Sequence, residues 1–398
     1  MNDSPSRTAP WRLDPSVTFL NHGSFGACPI AVLDAQARIR DEIEREPVTF
    51  FGRELEDRLD AARLALARFV GADADGLAFV DNATTGANAV IRSLRFEPGE
   101  EILATSHGYN AVRNAIDFAA ERSGARMVVA DVPFPISGPG EIRDRVLAAV
   151  TPRTRLAVVD HVTSPTALVF PVGSIVADLA DRGVDTLVDG AHAPGMVDLD
   201  VDAVGAAYYA GNCHKWLCAP KGAGFLHVRR DRRDRVHPTT ISHGRNAPRE
   251  DRSRFRLEFD WTGTRDPSPY LCVPDAIRAI GEMHPGGWAG VRARNRALAL
   301  EASEILAARI PAPAPGPPEM IGAMASTRLP PVPAPPSPRR LLDPVQEALF
   351  ERYRIEVPVF PFPDAAHRVI RVSAQLYNER GDYERLCDAL SRLLGGTE

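Results

Sequence analysis

Gly211-Asn212-Cys213-His214-Lys215-Trp216 sets one lysine in a polar, glycine-flanked segment that runs through Pro220-Lys221-Gly222-Ala223-Gly224 into an apolar strand. Upstream, the strand formers Thr186-Leu187-Val188 lead into Asp189-Gly190-Ala191-His192-Ala193-Pro194-Gly195. A carboxylate at the end of a strand, followed by a polar lysine segment, is the layout of a ligand site in an α/β sheet, which binds at the carboxyl ends of its strands.

Outward from this pair, apolar strands alternate with amphipathic helices. The pattern predicts strands at Leu77–Val80, Glu101–Ala104, Met127–Ala130, Leu156–Val159, Thr186–Val188, Ala206–Tyr209 and Gly224–Val228. Helices are expected at Gly86–Leu94 and Tyr109–Ser123. That alternation implies a parallel or mixed sheet with helices on both faces. Residues 1–30 read as an irregular arm with a glycine-rich turn, 31–275 as a large domain that begins with helical periodicity to about 70, and 276–398 as a smaller α/β domain. In the last segment a helix at Ala289–Arg309, strands within Met320–Leu329 and at His367–Ser373, and a closing helix at Asp382–Leu394 are expected. Two proline-rich stretches, Pro311–Pro318 and Pro330–Pro336, read as stiff surface loops rather than partner-recruiting polyproline.

The 398 residues are 44% hydrophobic and 25% charged with a net charge of −5, which gives no basic footprint for nucleic acid. Arg229-Arg230-Asp231-Arg232-Arg233 interleaves both signs and reads as a solvated surface. Met1 to Ser6 lack the apolar core of a signal peptide, and no apolar run is long enough to span a bilayer. The five cysteines, Cys28, Cys213, Cys218, Cys272 and Cys387, have no metal-ligand spacing. No metal site is expected, and reduced thiols in a cytoplasmic protein are the default reading.

The polar motifs follow strands. Asn82-Ala83-Thr84-Thr85-Gly86 opens a helix, where backbone N–H groups and threonine hydroxyls suit a phosphate, although such residues also serve as plain caps. Asn212 and His214 can add donors to the same anion. A lysine beside an aspartate that tunes a pyridine ring is what pyridoxal 5′-phosphate (PLP) chemistry needs. Asp189 would face the ring nitrogen, His192 the phenolic oxygen, and His107 the ring face, each histidine having a structural role as its alternative. Lys215, desolvated, would carry the cofactor as a Schiff base and take the α-proton of the substrate; Lys221, in a Pro-Lys-Gly turn, is the poorer candidate. Arg371, inside the apolar strand Val369–Ser373, is there either to grip a substrate carboxylate or to meet a local acid.

These residues resemble those of a class V, fold-type I PLP enzyme of the aminotransferase superfamily, most closely its isopenicillin N epimerase-like branch. The resemblance is carried by Phe19 to Gly26, Asn82 to Gly86, Asp189 to Gly195, Gly211 to Trp216, Trp261-Thr262-Gly263-Thr264-Arg265-Asp266 and Arg371 to Asn378, and so covers nearly the whole chain. It implies a large mixed-sheet domain and a smaller C-terminal one, PLP on Lys215, Asp189 at the ring nitrogen and His107 stacked on the ring. Thr84, Thr85, Asn212 and His214 would hold the phosphate. Gly263 and Thr264 would reach the phosphate of a neighbouring subunit, which implies a homodimer with shared sites. Arg371 would bind the carboxylate of an amino-acid substrate, with Asn21 and Tyr109 beside it. The side-chain pocket would be lined by the N-terminal arm, Ser242 to Asn246 and the partner.

Two departures from the pattern matter. Ala167 stands where such enzymes often have glycine, and the loop expected to carry the sulfur-accepting cysteine of cysteine desulfurases is proline-rich without one. After removal of the α-proton, epimerisation, β-elimination by a C–S lyase and transamination all use the same Lys, Asp and Arg. The resemblance favours an epimerase or racemase, with Tyr109 or a partner residue as the acid on the opposite face. A cofactor-free binding protein and a Rossmann enzyme are the readings from other classes. The first conflicts with the intact Lys215, Asp189 and Thr84–Thr85; the second lacks a G-x-G-x-x-G after the first strand.

Overall fold

The computed structural model describes residues 9–331 and 342–394. Residues 1–6, read above for a signal peptide, and 332–336 of the second proline-rich stretch lie outside the described residues. Among the described residues twelve strands occur in chain order: β1 Thr18–Phe19, β2 Leu77–Val80, β3 Glu101–Thr105, β4 Arg126–Ala130, β5 Thr154–Asp160, β6 Asp185–Gly190, β7 Tyr208–Asn212, β8 Gly224–Val228, β9 Met324–Leu329, β10 Ile355–Glu356, β11 Val359–Pro361 and β12 Arg368–Ser373.

Seven of them form one sheet in the order β2-β8-β7-β6-β5-β3-β4, parallel from β7 to β4 and antiparallel where β8 joins β7 and β2. Its strands are near-continuous apolar runs because both faces are covered. The period of two divides them cleanly. Leu77, Phe79, Leu103, Ala157, Val159, Val188, Tyr209 and Phe225 join a core with the helices Leu55–Val70, Val172–Asp181 and Val273–Glu282. Their alternates, Ala78, Val80, Ile102, Ala104, Leu156, Val158, Leu187, Ala210 and Leu226, face a second core with the helices Ala83–Ser93 and Asn110–Ser123.

Several elements depart from the sequence expectation. The helix expected from Gly86 starts at Ala83, because the Asn82 side chain caps Thr85 N–H (2.9 Å) and the Asn212 side chain accepts from Ala83 N–H (2.7 Å). The strand expected at Ala206–Tyr209 is shifted to Tyr208–Asn212, since pairing with β8 carries the ladder through Gly211 and Asn212. The arm is not irregular throughout: β1 pairs in parallel with β10, and His22–Phe25 forms one helical turn.

The C-terminal part is a three-stranded antiparallel sheet, β11-β12-β9, with the helices Gly287–Arg309 and Arg380–Leu394. Pro315 anchors the first proline-rich stretch by accepting from Ile136 N–H (3.1 Å). Arg229, Arg232 and Arg233 pair with Asp185, Asp231 and Asp73, as a mixed-sign surface should. No helix among the described residues is long and apolar enough to cross a membrane.

Candidate active site

A cavity of about 550 Å³ opens at the carboxyl ends of the central strands. Its walls include Thr84, Thr85, Tyr109, Asp189, His192, Asn212, His214 and Lys215, so segments more than a hundred residues apart converge on one site.

Lys215 lies between strands, half-buried in the cavity wall. Burial, then the nearby Arg371 guanidinium, bring its pKa down to about 7, against the opposing pull of Asp189. Its Nζ is 3.1 Å from His192 Nε2. Trp216 Nε1–H donates to His192 Nδ1 (3.4 Å), so the imidazole carries its hydrogen on Nε2. Burial and the surrounding cations hold His192 well below the usual imidazole range, hence neutral. Its Nε2–H therefore donates to the Lys215 nitrogen, which accepts only as the free amine.

Asp189 is 5% exposed, and desolvation raises its pKa. One oxygen accepts from Ala191 N–H (3.0 Å). On the same cavity wall, the cap contacts occupy the N–H groups of Ala83 and Thr85. Among the described residues the Thr84 N–H and the Thr84 hydroxyl have no intramolecular partner. His214 Nδ1 is tied to Ala223 O (3.0 Å), which leaves Nε2 at the cavity edge. An amine, a carboxylate and helix N-terminal donors around one cavity fit a pyridine ring bearing an aldehyde and a phosphate.

Some expected residues lie elsewhere. His107 is not on the cavity wall. It is completely buried, with Nδ1 on Thr166 Oγ1 (2.7 Å), Nε2 on Val132 O (3.0 Å) and its ring against Phe362 and Phe170. The chain turns after β3 so that Tyr109, two residues on, reaches the wall instead. Asn21 is also withdrawn, donating to Glu356 (3.0 Å) and accepting from Ser24 (2.5 Å), and it is Ser24 and Phe25 that line the cavity.

Arg371, 1% exposed, sits directly behind Ser24 and Ser164, donating to Ser164 O (2.7 Å) and Ser24 Oγ (3.0 Å). Its Nε has no partner, and no acid among the described residues pairs with it, which removes the local salt bridge as an explanation. Gly263 and Thr264 border other cavities, away from Lys215. Ser242 to Asn246 are likewise off this wall, with Gly244 packed on Leu257.

Two residues escaped the sequence reading. His22 is fully buried beneath the lysine segment, with Nε2 3.0 Å from Lys215 O and Nδ1 2.8 Å from Tyr377 OH. Asp160 lines the cavity beside Asp189. Its signal was present, since Val158-Val159-Asp160 repeats the apolar-run-then-aspartate pattern of Leu187-Val188-Asp189.

Residues 32–256 match the family Aminotransferase class-V. The chain is 38% identical over 397 residues to the isopenicillin N epimerase of Streptomyces clavuligerus, covering 96% of each. It is 33% identical over 414 residues to the putative L-cysteine desulfhydrase 1 of Oryza sativa subsp. japonica, covering 96% of this chain and 84% of that one. Among solved structures, the cysteine desulfurase CsdA from Escherichia coli superposes with a TM-score of 0.78 at 19% identity, over 97% of each chain. The cystine C-S lyase C-DES, in complex with its product cysteine persulfide, gives 0.76 at 20% identity, over 94% of this chain and 97% of that one. The fold is therefore fold-type I, and the chain belongs to the class V aminotransferase family of PLP-dependent enzymes.

Proposed function

We propose that this enzyme is an amino-acid epimerase or racemase of the isopenicillin N epimerase-like kind, working by proton transfer at the substrate α-carbon. The observation that carries the proton chemistry is the Lys215 amine 3.1 Å from His192 Nε2, with its pKa lowered to about 7 by desolvation and the Arg371 charge. Preference for inversion rests on two isopenicillin N epimerases, each 38% identical to this chain over 96% of both lengths.

Lys215 would carry PLP through Nζ. Thr84, Thr85, Asn212 and His214 would hold its phosphate, and Asp189 would pair with its ring nitrogen. When bound, PLP supplies the sink for the electron pair left at the α-carbon. Once the substrate amine has displaced it from the cofactor, Lys215 Nζ would accept the α-proton, with His192 keeping that nitrogen aimed into the cavity. Arg371 holds the substrate carboxylate as a charge-assisted pair, with Ser24 and Ser164 orienting the guanidinium. The Tyr109 phenol, on the same cavity wall, returns a proton to the opposite face. His107 supports the ring pocket from behind through Thr166.

The organisation we adopt is an arm (1–30), a large domain (31–275) and a small domain (276–398), assembled as a homodimer in which Gly263 and Thr264 serve the partner's phosphate site. The five buried free cysteines support a reducing, cytoplasmic setting.

A second reading, β-elimination at a C–S bond, is favoured by the desulfhydrase relatives, of which three are 32–34% identical over 96% of this chain. Incubating the PLP-loaded enzyme with L-amino acids and cysteine S-conjugates in heavy water separates the two. Inverted, α-deuterated product is expected, and Lys215→Ala yields none. Pyruvate with a released thiol would replace this proposal by the lyase.

A further inference from the structure

Asp160 has no part in the reading above, yet its position demands one. It ends β5 as the register partner of Asp189 on parallel β6. Neighbouring strands lie ~4.8 Å apart, and directly paired residues share a face. That face is the one bearing the helix Ala83–Ser93, and both carboxylates line the cavity. Asp160 is 4% exposed, and no cation among the described residues bears on it.

The groups around the pair are few. The Tyr109 backbone N–H bears on Asp160. Ala191 N–H holds Asp189, and Lys215 is the basic group that acts on that residue. Tyr209 and His161 bond to one another on the other face of the sheet (2.8 Å). Burial and the Asp189 charge both drive Asp160 towards its protonated form. Two adjacent buried carboxylates ionise together only when a counter-charge joins them. A protonated pyridine nitrogen at Asp189 is such a charge.

We infer that Asp160 is the proton-holding residue of the cofactor site: it carries a proton in the PLP-free protein and yields it to the ring nitrogen as PLP binds. The inference rests on the placement of Asp189 at that nitrogen. One O–H bond at Asp160 breaks, one N–H bond forms on the ring, and the electron pair of the broken bond stays on the carboxylate. The net charge of the three groups is unchanged, and no other reactant is needed. Bound PLP then has two ionised carboxylates around one pyridinium, which holds the proton more firmly than Asp189 alone.

The test uses PLP labelled with ¹⁵N in the ring, bound to the wild type, Asp160→Asn and Asp189→Asn, with the nitrogen shift followed against pH. Loss of one adjacent charge lowers the nitrogen's titration midpoint in Asp160→Asn by about 1–3 units. An unchanged midpoint there, with Asp189→Asn shifted, overturns the role of Asp160. An unchanged nitrogen in Asp189→Asn overturns the placement of Asp189, and this inference with it. Should Asp160→Asn fail to fold, the wild type alone decides by infrared difference spectroscopy. The band of a buried protonated carboxyl is expected to vanish on PLP addition, and its persistence refutes the proposal.

Discussion

Lys215 shows how a residue acquires chemistry that its type alone does not have. An exposed lysine is protonated at neutral pH and cannot act as a nucleophile or base. Here desolvation does most of the work, the Arg371 charge adds to it, and Asp189 opposes both, leaving a pKa of about 7. The consequence is a pH dependence of known sign. Below about 7 the amine is charged and inert; above it the amine is free. Capture of PLP by the stripped protein, followed by its visible absorbance, should accelerate as pH rises through about 7 and then level off. Arg371→Gln removes a positive neighbour, so the inflection should move to higher pH. The same variant should raise KM for the amino acid about ten- to a hundredfold, the loss of a charge-assisted pair worth ~1.5–3 kcal/mol. A merely structural arginine would lower stability and move the inflection but leave KM for the amino acid in place.

At the scale of elements, the segment under the lysine is fixed by backbone as much as by side chains. Gly26, which closes the turn His22–Phe25, has φ 71° and ψ 156°, a conformation that is essentially glycine-only. A methyl group there would run into the carbonyl oxygen of His214, on the backbone that leads to Lys215. Gly26→Ala should therefore cost on the order of 2–5 kcal/mol from strain and overpacking and push the lysine segment off its His22 contact. Thermal unfolding and PLP retention by dialysis would check both effects; an unaltered Kd for PLP would show that the segment is held by other means. This element also marks where the sequence was and was not legible. Strands such as Leu77–Val80 and Gly224–Val228 announce themselves by continuous apolar runs, and a strand-end aspartate before a lysine segment marks the site. The arm reads as irregular because its short strand exists only by pairing with Ile355–Glu356, more than three hundred residues away. His107 and Tyr109 both follow β3, and only the course of the loop decides which of them reaches the cavity. Asn212 caps a helix 129 residues distant, a contact that no local pattern encodes.

For the whole molecule, the question is whether one chain makes a complete site. Cavity walls around Lys215 come from the arm, the large sheet and its crossovers, while Arg371 of the small sheet stands behind them. Gly263 and Thr264, which resemblance assigns to a phosphate, are instead on other cavities of the same subunit. Thr264 borders one of about 470 Å³ that includes Phe51, Leu55, Leu257 and Trp261. Val48 is on its rim, 67% exposed, and Phe25 at the mouth of the lysine cavity is 71% exposed. Large apolar side chains left open beside grooves are what a subunit interface covers. If each phosphate site borrows Thr264 from its neighbour, two defective proteins should repair one another. Lys215→Ala lacks the amine, and Thr264→Asp sets a negative charge against the partner's phosphate, so each alone should hold PLP poorly and be inactive. After subunit exchange in a mixture, the site built around Lys215 of the Thr264→Asp chain receives an intact Thr264 from the Lys215→Ala chain. α-Deuteration activity should then return, in proportion to the hybrid fraction measured by native mass spectrometry. A mixture that forms hybrids and stays inactive would mean that each subunit completes its own site, and the shared-site dimer would have to be abandoned.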